Sequence, residues 1–194
     1  MKIYLASKSP RRKELLQLME IPFEVLAVDL PEVVKPNETP DDYSKRITQE
    51  KLHTAWNTLI TKKLPLLPVL CADTEVVLGG KILGKPQDEE DAFHMLRQYS
   101  GKTHQVITSI GLYYEQYKKI ETSTTCVTFS EMTDEDIRHY LATGNYKDKA
   151  GGYGIQSYIG QFISRIDGCF YSVMGLPLNI VRQMLDQFFL SKYM

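Results

Sequence analysis

The sequence is short of the features that would place it in a membrane, on nucleic acid or in an oxidising compartment. Its three cysteines, Cys71, Cys126 and Cys169, are an odd number with no Cys-x-x-Cys pair, which favours free thiols over a disulfide framework. No apolar run approaches the roughly 18 residues that span a bilayer. Strand-like residues begin at once and a charged turn follows, so no signal peptide is read and a cytoplasmic location is expected. The net charge of −1 supplies no overall field for nucleic acid or an anionic membrane, and neither is expected as a partner. Any anion site must be built locally. Familiar chemical motifs are also missing. There is no GxGxxG fingerprint, no GxSxG elbow, and no HExxH spacing among His53, His94, His104 and His139. Ser100-Gly101-Lys102-Thr103 has the tail of a P-loop, but Leu96 stands where the first glycine belongs and the segment ends a helix. Gly101 therefore reads as a C-cap. Gly80 to Lys85 mimics the same motif but runs into Pro86.

What is present is ordinary globular composition, 43% hydrophobic and 24% charged over 194 residues, without repeats or low-complexity stretches. One domain over residues 1–194, in two lobes, fits that length. A strand is expected over residues 2–6 and a helix over 10–20, started by Ser9 as N-cap and Pro10 at the first helical position. A short strand over 23–28 and a loop over 29–38 with Pro31 and Pro36 follow. Thr39-Pro40-Asp41-Asp42 opens a helix to about Ile60. Leu66 to Leu78 reads as a strand, with Gly79-Gly80 turning into Ile82-Leu83. A third helix covers about 88–99. Stretches 103–114 and 120–129 read as an antiparallel pair, with polar residues 115–119 between them. Thr133 caps a helix to about Ala142, Phe162–Ile166 is a strand, and Gly175-Leu176-Pro177 opens a last helix. Strands and helices interleave, but a hairpin breaks the alternation, so the fold class expected is α/β with a mixed sheet flanked by helices.

Residues that could carry chemistry fall in a few segments. In Ser7-Lys8-Ser9-Pro10-Arg11-Arg12, cations stand at a helix N-terminus, which favours anions instead. A phosphate chain would resolve the conflict, gathering backbone N–H groups, hydroxyls and two guanidinium forks on one ligand. A solvated basic turn has the same sequence. In Cys71-Ala72-Asp73-Thr74-Glu75-Val76, acids enter an apolar strand, where they rarely stand without a partner. Alternation puts Asp73 and Glu75 on one face and Thr74 on the other. A carboxylate there can hold Mg2+ or orient and deprotonate a water; it can also simply pair with a lysine or end the strand, the reading preferred for Glu75. Lys85 follows the hairpin arm and Lys51 lies mid-helix; either can neutralise phosphate, although mid-helix lysines are usually solvated. Glu32 sits in the proline-punctuated loop. The loop Asp148 to Gln156 holds glycines that permit close backbone approach, and the Gln156 amide both donates and accepts; a surface loop would read alike.

Taken in order, these segments resemble the Maf (septum-formation inhibitor) family of nucleoside triphosphate pyrophosphatases. The likeness is carried by Ser7 to Arg12, Gln49-Glu50-Lys51, Ala72-Asp73-Thr74, Gly84-Lys85-Pro86, Leu96 to His104, Lys149 to Gln156, and Ile166-Asp167-Gly168 through Gly175-Leu176-Pro177. It covers nearly the whole chain. The resemblance implies a fold like that of the inosine-triphosphate pyrophosphatases, with a nucleotide cleft between two lobes. It also implies hydrolysis of a nucleoside triphosphate to monophosphate and pyrophosphate with a divalent metal, Mg2+ or Mn2+. One branch of the family resembles dTTP/UTP pyrophosphatases and another acts on 7-methyl-GTP. The second typically has tryptophan, glutamine and glutamate where this chain has Arg11, Thr74 and Gln156, so this chain looks like the first. Glu75 departs from the family's usual apolar residue and is expected to add negative charge beside the metal.

By the same resemblance, Asp73 accepts the proton of a water attacking the α-phosphorus. Glu32 is a second acid, a metal ligand with Asp73 or a water-orienting group. Ser7, Arg11, Arg12, Lys51 and Lys85 face the phosphates, and Arg11, Thr74 and Gln156 select the base. A homodimer is implied as well. The rivals are a cell-division regulator that binds nucleotide as a partner protein, and the same hydrolysis directed at 7-methyl-GTP.

Overall fold

The structure is a computed structural model that describes residues 2–192. Strands β1 (Ile3–Leu5), β2 (Phe23–Val25), β3 (Val69–Leu78), β4 (Lys81–Leu83), β5 (Thr103–Tyr114), β6 (Tyr117–Phe129) and β7 (Ile163–Asp167) form one sheet in the order β2-β1-β3-β5-β6-β7. Strand β4 pairs with β3 off that path. Pairings of β1 with β2 and β3 are parallel; those of β3 with β4 and β5, and of β5 with β6 and β6 with β7, are antiparallel. The sheet is therefore mixed, as the interrupted alternation predicts. Helices α1 (Pro10–Gln17), α2 (Pro40–Thr61), α3 (Glu89–Tyr99), α4 (Asp134–Ala142), α5 (Phe170–Met174) and α6 (Leu178–Lys192) flank it.

Helix starts follow the capping residues. The Thr39 hydroxyl accepts the Asp42 N–H at 3.2 Å, and Thr133 with Asp136 closes a full capping box. Caps of this kind contribute about 1 kcal/mol each. Gly101 follows α3 with φ +66°, as its reading as a C-cap predicts. Elsewhere the elements differ from expectation for local reasons. Helix α1 stops at Gln17, and a turn with Glu20 at φ 55° takes the chain out. Strand β2 ends at Val25, well short of 28. Strand β3 starts at Val69 because Pro65 and Pro68 cannot donate to a ladder. The β5–β6 turn is only Glu115-Gln116: Tyr117 pairs with Tyr114 and packs on Phe188 at 5.1 Å, which extends the hairpin past the expected loop. Short 3-10 turns at Ala150–Gly152 and Tyr158–Phe162, and the one-turn helix α5, were not expected.

Burial along β3 shows where the core divides. Val69 and Cys71 face α2, packing with Leu52, Ala55 and Trp56. Leu70 and Ala72 face the opposite side, with Leu15, Leu16 and residues of α6. From Val76 onward the strand joins a third cluster built on α3, α4 and the 150–159 segment. Asp73, Thr74 and Glu75 occupy the three positions between these clusters, where polar side chains need not displace apolar packing.

Candidate active site

A cleft of about 750 Å³ opens at that midpoint of β3. Its walls come from the α1 N-terminus, the 28–34 segment, β3, Lys85 and the 147–153 segment. Ser7, Arg11, Arg12, Glu32, Lys51, Asp73, Thr74 and Lys85 all line it. Gln156 does not. It is exposed on the turn beyond Lys149, so its expected contact with a base finds no direct support in the geometry.

At the acidic end, one ammonium joins two acids. Lys51 Nζ lies 2.5 Å from Asp73 Oδ1 and 2.6 Å from Glu32 Oε1, and Lys85 Nζ lies 3.7 Å from Glu32 Oε2. The Lys51 side chain is only 12% exposed, which sets aside the solvated alternative for this mid-helix lysine. The signal was in the sequence: Lys51 stands four residues from Ile47 and from Ala55, both fully buried, so it shares their stripe. Burial works against its charge, yet the Asp73 and Glu32 carboxylates outweigh burial and raise its pKa. Asp73 Oδ2 is buried and has no hydrogen-bond partner. Such an oxygen can accept from the neighbouring Glu75 carboxyl when that is protonated, accept from a water, or meet a cation.

Glu75 shares the Asp73 face, as alternation predicts, but it neither ends the strand nor forms an ion pair among the described residues. Burial first, then the neighbouring Asp73 charge, push its pKa up to about 9. Both effects favour the protonated form and work against the negative charge expected from it.

The basic end is organised differently. Arg12 is fixed by neutral acceptors: Nε donates to the Gly175 carbonyl at 2.9 Å, Nη1 to Ser7 Oγ at 3.4 Å and Nη2 to Thr74 Oγ1 at 3.0 Å. The directions can be followed. Thr108 Oγ1 donates to the Ser172 carbonyl at 2.8 Å, so it accepts from Thr74 at 3.0 Å, and Thr74 is left to accept from Arg12. No carboxylate pairs with Arg12 among the described residues, so its charge stays available to an anion. Thr74 is thus tied to Arg12. Arg11 makes no hydrogen bond or ion pair among the described residues, and burial followed by the Arg12 charge lowers its pKa. Lys149, which sequence reasoning quoted without giving it a role, lies across the cleft with its pKa lowered by burial and then by Arg11. Its proximity depends on a fold-back of Gly151, whose N–H donates to the Gly84 carbonyl at 2.9 Å. Tyr43, also in the lining, had no signal beyond its place on the apolar side of α2.

Such a site can grip a polyanion at Arg11, Arg12 and Lys149 and present a buried carboxylate a short way along. Among the described residues, no three His, Cys, Asp or Glu side chains are grouped to hold a metal. A hard divalent cation needs no such cage, since one or two carboxylates plus substrate phosphate oxygens suffice for Mg2+. The donor set of Asp73 and Glu32, with the unpartnered Oδ2, fits that arrangement.

A family model described as Maf-like protein matches residues 2–188. A dTTP/UTP pyrophosphatase of Nitrosomonas europaea is 44% identical over 193 residues, covering 95% of this chain and 93% of that protein. One of Chromobacterium violaceum is 41% identical over 187 residues, covering 96% and 94%. Among solved structures, the Ham1 protein of Staphylococcus aureus aligns over 66% of this chain and 72% of its own, at 14% identity and a TM-score of 0.47, too slight a likeness to carry an argument.

Proposed function

The chain belongs to the Maf-like protein family, and from that premise we propose that it hydrolyses nucleoside triphosphates, dTTP and UTP foremost, to the monophosphate and pyrophosphate. The observation that carries this reading is the meeting, in one cleft, of an unneutralised Arg12 with the Glu32–Lys51–Asp73 cluster. The relatives named above lend the substrate class. One Maf-like unit performs the reaction, as a homodimer in the cytoplasm, with neither nucleic acid nor membrane as partner.

Arg11, Arg12, Ser7, Lys51 and Lys85 bind and orient the phosphates and spread their charge, since phosphoryl chemistry depends mainly on positioning and electrostatics. A water oxygen bonds to the α-phosphorus, and the bond from that phosphorus to the bridging oxygen breaks. The water's proton passes to Asp73, and pyrophosphate leaves with the bonding pair. Glu32 holds Lys51 and orients the water. When bound, Mg2+ or Mn2+ supplies further neutralisation of the phosphate oxygens, held by Asp73 and Glu32. Arg11, Thr74 and Gln156 set the choice of base; for Gln156 this requires its turn to fold toward the cleft.

Incubating the purified protein with Mg2+ and a panel of UTP, dTTP, 7-methyl-GTP and modified pyrimidine triphosphates tests the reading. Pyrophosphate and UMP or dTMP are expected in equal amounts. Binding without pyrophosphate release supports a nucleotide-bound regulator instead, and preference for 7-methyl-GTP moves the chain to the other branch. Replacing Gln156 with Glu is expected to shift preference away from UTP; an unchanged profile removes Gln156 from base selection.

A further inference from the structure

Glu32 reaches Lys51 from a segment with no helix or strand of its own. Between β2 and α2 the chain is irregular and contains Pro31 and Pro36. Such a segment does not place a carboxylate at 2.6 Å from a buried ammonium unless something anchors it. The anchor is Arg46, in the first turns of α2. Its Nε and Nη2 donate to the two carboxylate oxygens of Glu38 at 2.5 and 2.7 Å. Nη1 donates to Glu50 Oε1 at 3.1 Å, and Nη2 also donates to the Val33 carbonyl at 2.9 Å. Val33 is the residue next to Glu32. Glu38 in turn accepts the Lys35 N–H at 2.9 Å, closing the far end of the segment.

This is unlike an ordinary surface ion pair. The pairing is bidentate, a backbone carbonyl completes it, and the Arg46 and Glu38 side chains are only 19% and 9% exposed. The guanidinium also sits 5.4 Å from the centre of the Tyr43 ring, which lines the cleft. Hydrogen bonds from Arg46 hold the Glu38 carboxyl down to about 2, so the clamp stays charged across any working pH.

We propose that Arg46 is a positioning residue for the hydrolysis: by fixing Val33 and Glu38 against α2, it holds Glu32 at Lys51 without itself touching substrate. Nothing in the family comparison assigns it a role. The inference rests on the reading that Glu32 takes part in the reaction. A lysine cannot replace the clamp, because it offers a single point charge where four donations leave a planar fork.

The test is a double-mutant cycle on the full chain. Arg46→Lys, Glu38→Gln, Glu32→Gln and the two pairs of Arg46→Lys or Glu38→Gln with Glu32→Gln are assayed for kcat and KM on UTP with Mg2+. Amide hydrogen exchange over residues 33–38 is followed alongside. Arg46→Lys and Glu38→Gln should each lower kcat on the order of 10- to 100-fold, as misplacement by about an ångström does. Exchange at 33–38 should quicken while the melting temperature stays near wild type. In the Glu32→Gln background both changes should lose their effect on kcat, because the group they place is gone. An equal kcat loss in both backgrounds, or wild-type kcat in Arg46→Lys, overturns the proposal. Wild-type turnover by Glu32→Gln alone overturns the reading of Glu32 beneath it, and the proposal falls for that separate reason.

Discussion

Asp73 and Glu75 are two residues apart on one face of one strand, yet only one of them meets a cation directly. Asp73 has the Lys51 ammonium at 2.5 Å, whereas Glu75 is buried with no cation of its own and its pKa is pushed up to about 9. Two substitutions should therefore diverge. Asp73→Asn keeps the shape and removes the proton acceptor; kcat should fall at least about 100-fold while UTP binding, measured by calorimetry, stays within a few-fold. The raised pKa of Glu75 favours its neutral form, so Glu75→Gln should keep turnover within about 3-fold of wild type, half a kcal/mol or so of barrier. Near-wild-type turnover in Asp73→Asn removes the base assignment. A Glu75→Gln protein as inactive as Asp73→Asn shows that Glu75 is ionised in the working enzyme.

Among the elements, most of what places the site was legible, and each failure has a physical reason. Ser9-Pro10 marked the start of α1, and the acids interrupting an apolar run marked the middle of β3. Lys51 was legible as a site residue through the family resemblance, while taken alone its place mid-helix suggested solvent and its position in the α2 stripe points inward. The Pro-rich loop showed Glu32 but not its anchor, since Arg46 bonds across 13 residues to Val33 and no local pattern encodes that. Helix α5 is one turn long and has no room for a 3.6-residue period. Gln156 was legible as a chemical type, but its exposure depends on how the glycine loop folds back. There Gly151 is decisive. It has φ +66°, and a Cβ on it would lie 2.6 Å from Tyr99 Oη and 2.8 Å from Val76 Cγ2. Gly151→Ala should cost about 2 kcal/mol or more, read as a drop in the urea midpoint, and should weaken UTP binding by shifting Lys149. An unchanged midpoint would mean that the loop has another way to pack.

For the whole molecule, stability should carry the signature of a buried histidine. His104 is 2% exposed, stacked at 5.7 Å on Phe129, with Nε2 2.7 Å from Tyr153 Oη and Nδ1 without a partner. Burial pushes its pKa down from 6.5 to about 4. Above pH 6.5 both folded and unfolded chains keep the ring neutral, and the group contributes no slope. As pH falls from 6.5 toward 4, the unfolded chain takes a proton that the folded one refuses, and stability declines. The loss approaches about 3 kcal/mol at the acid end of that window. Glu75, with its raised pKa, works in the opposite direction over this window, so the comparison isolates the histidine: urea titrations at pH 7.5 and 5 should show His104→Gln gaining stability relative to wild type at pH 5, and equal pH dependence in the two proteins would remove His104 as a source.

The bond from Arg12 to the Gly175 carbonyl joins positions 163 residues apart. A chain still emerging from the ribosome can already display Ser7, Lys51 and Asp73 while the seat for that guanidinium is unmade. Competence to cleave nucleotides therefore waits for the segment around Gly175, and fragments cut short before it inherit the acids without the grip.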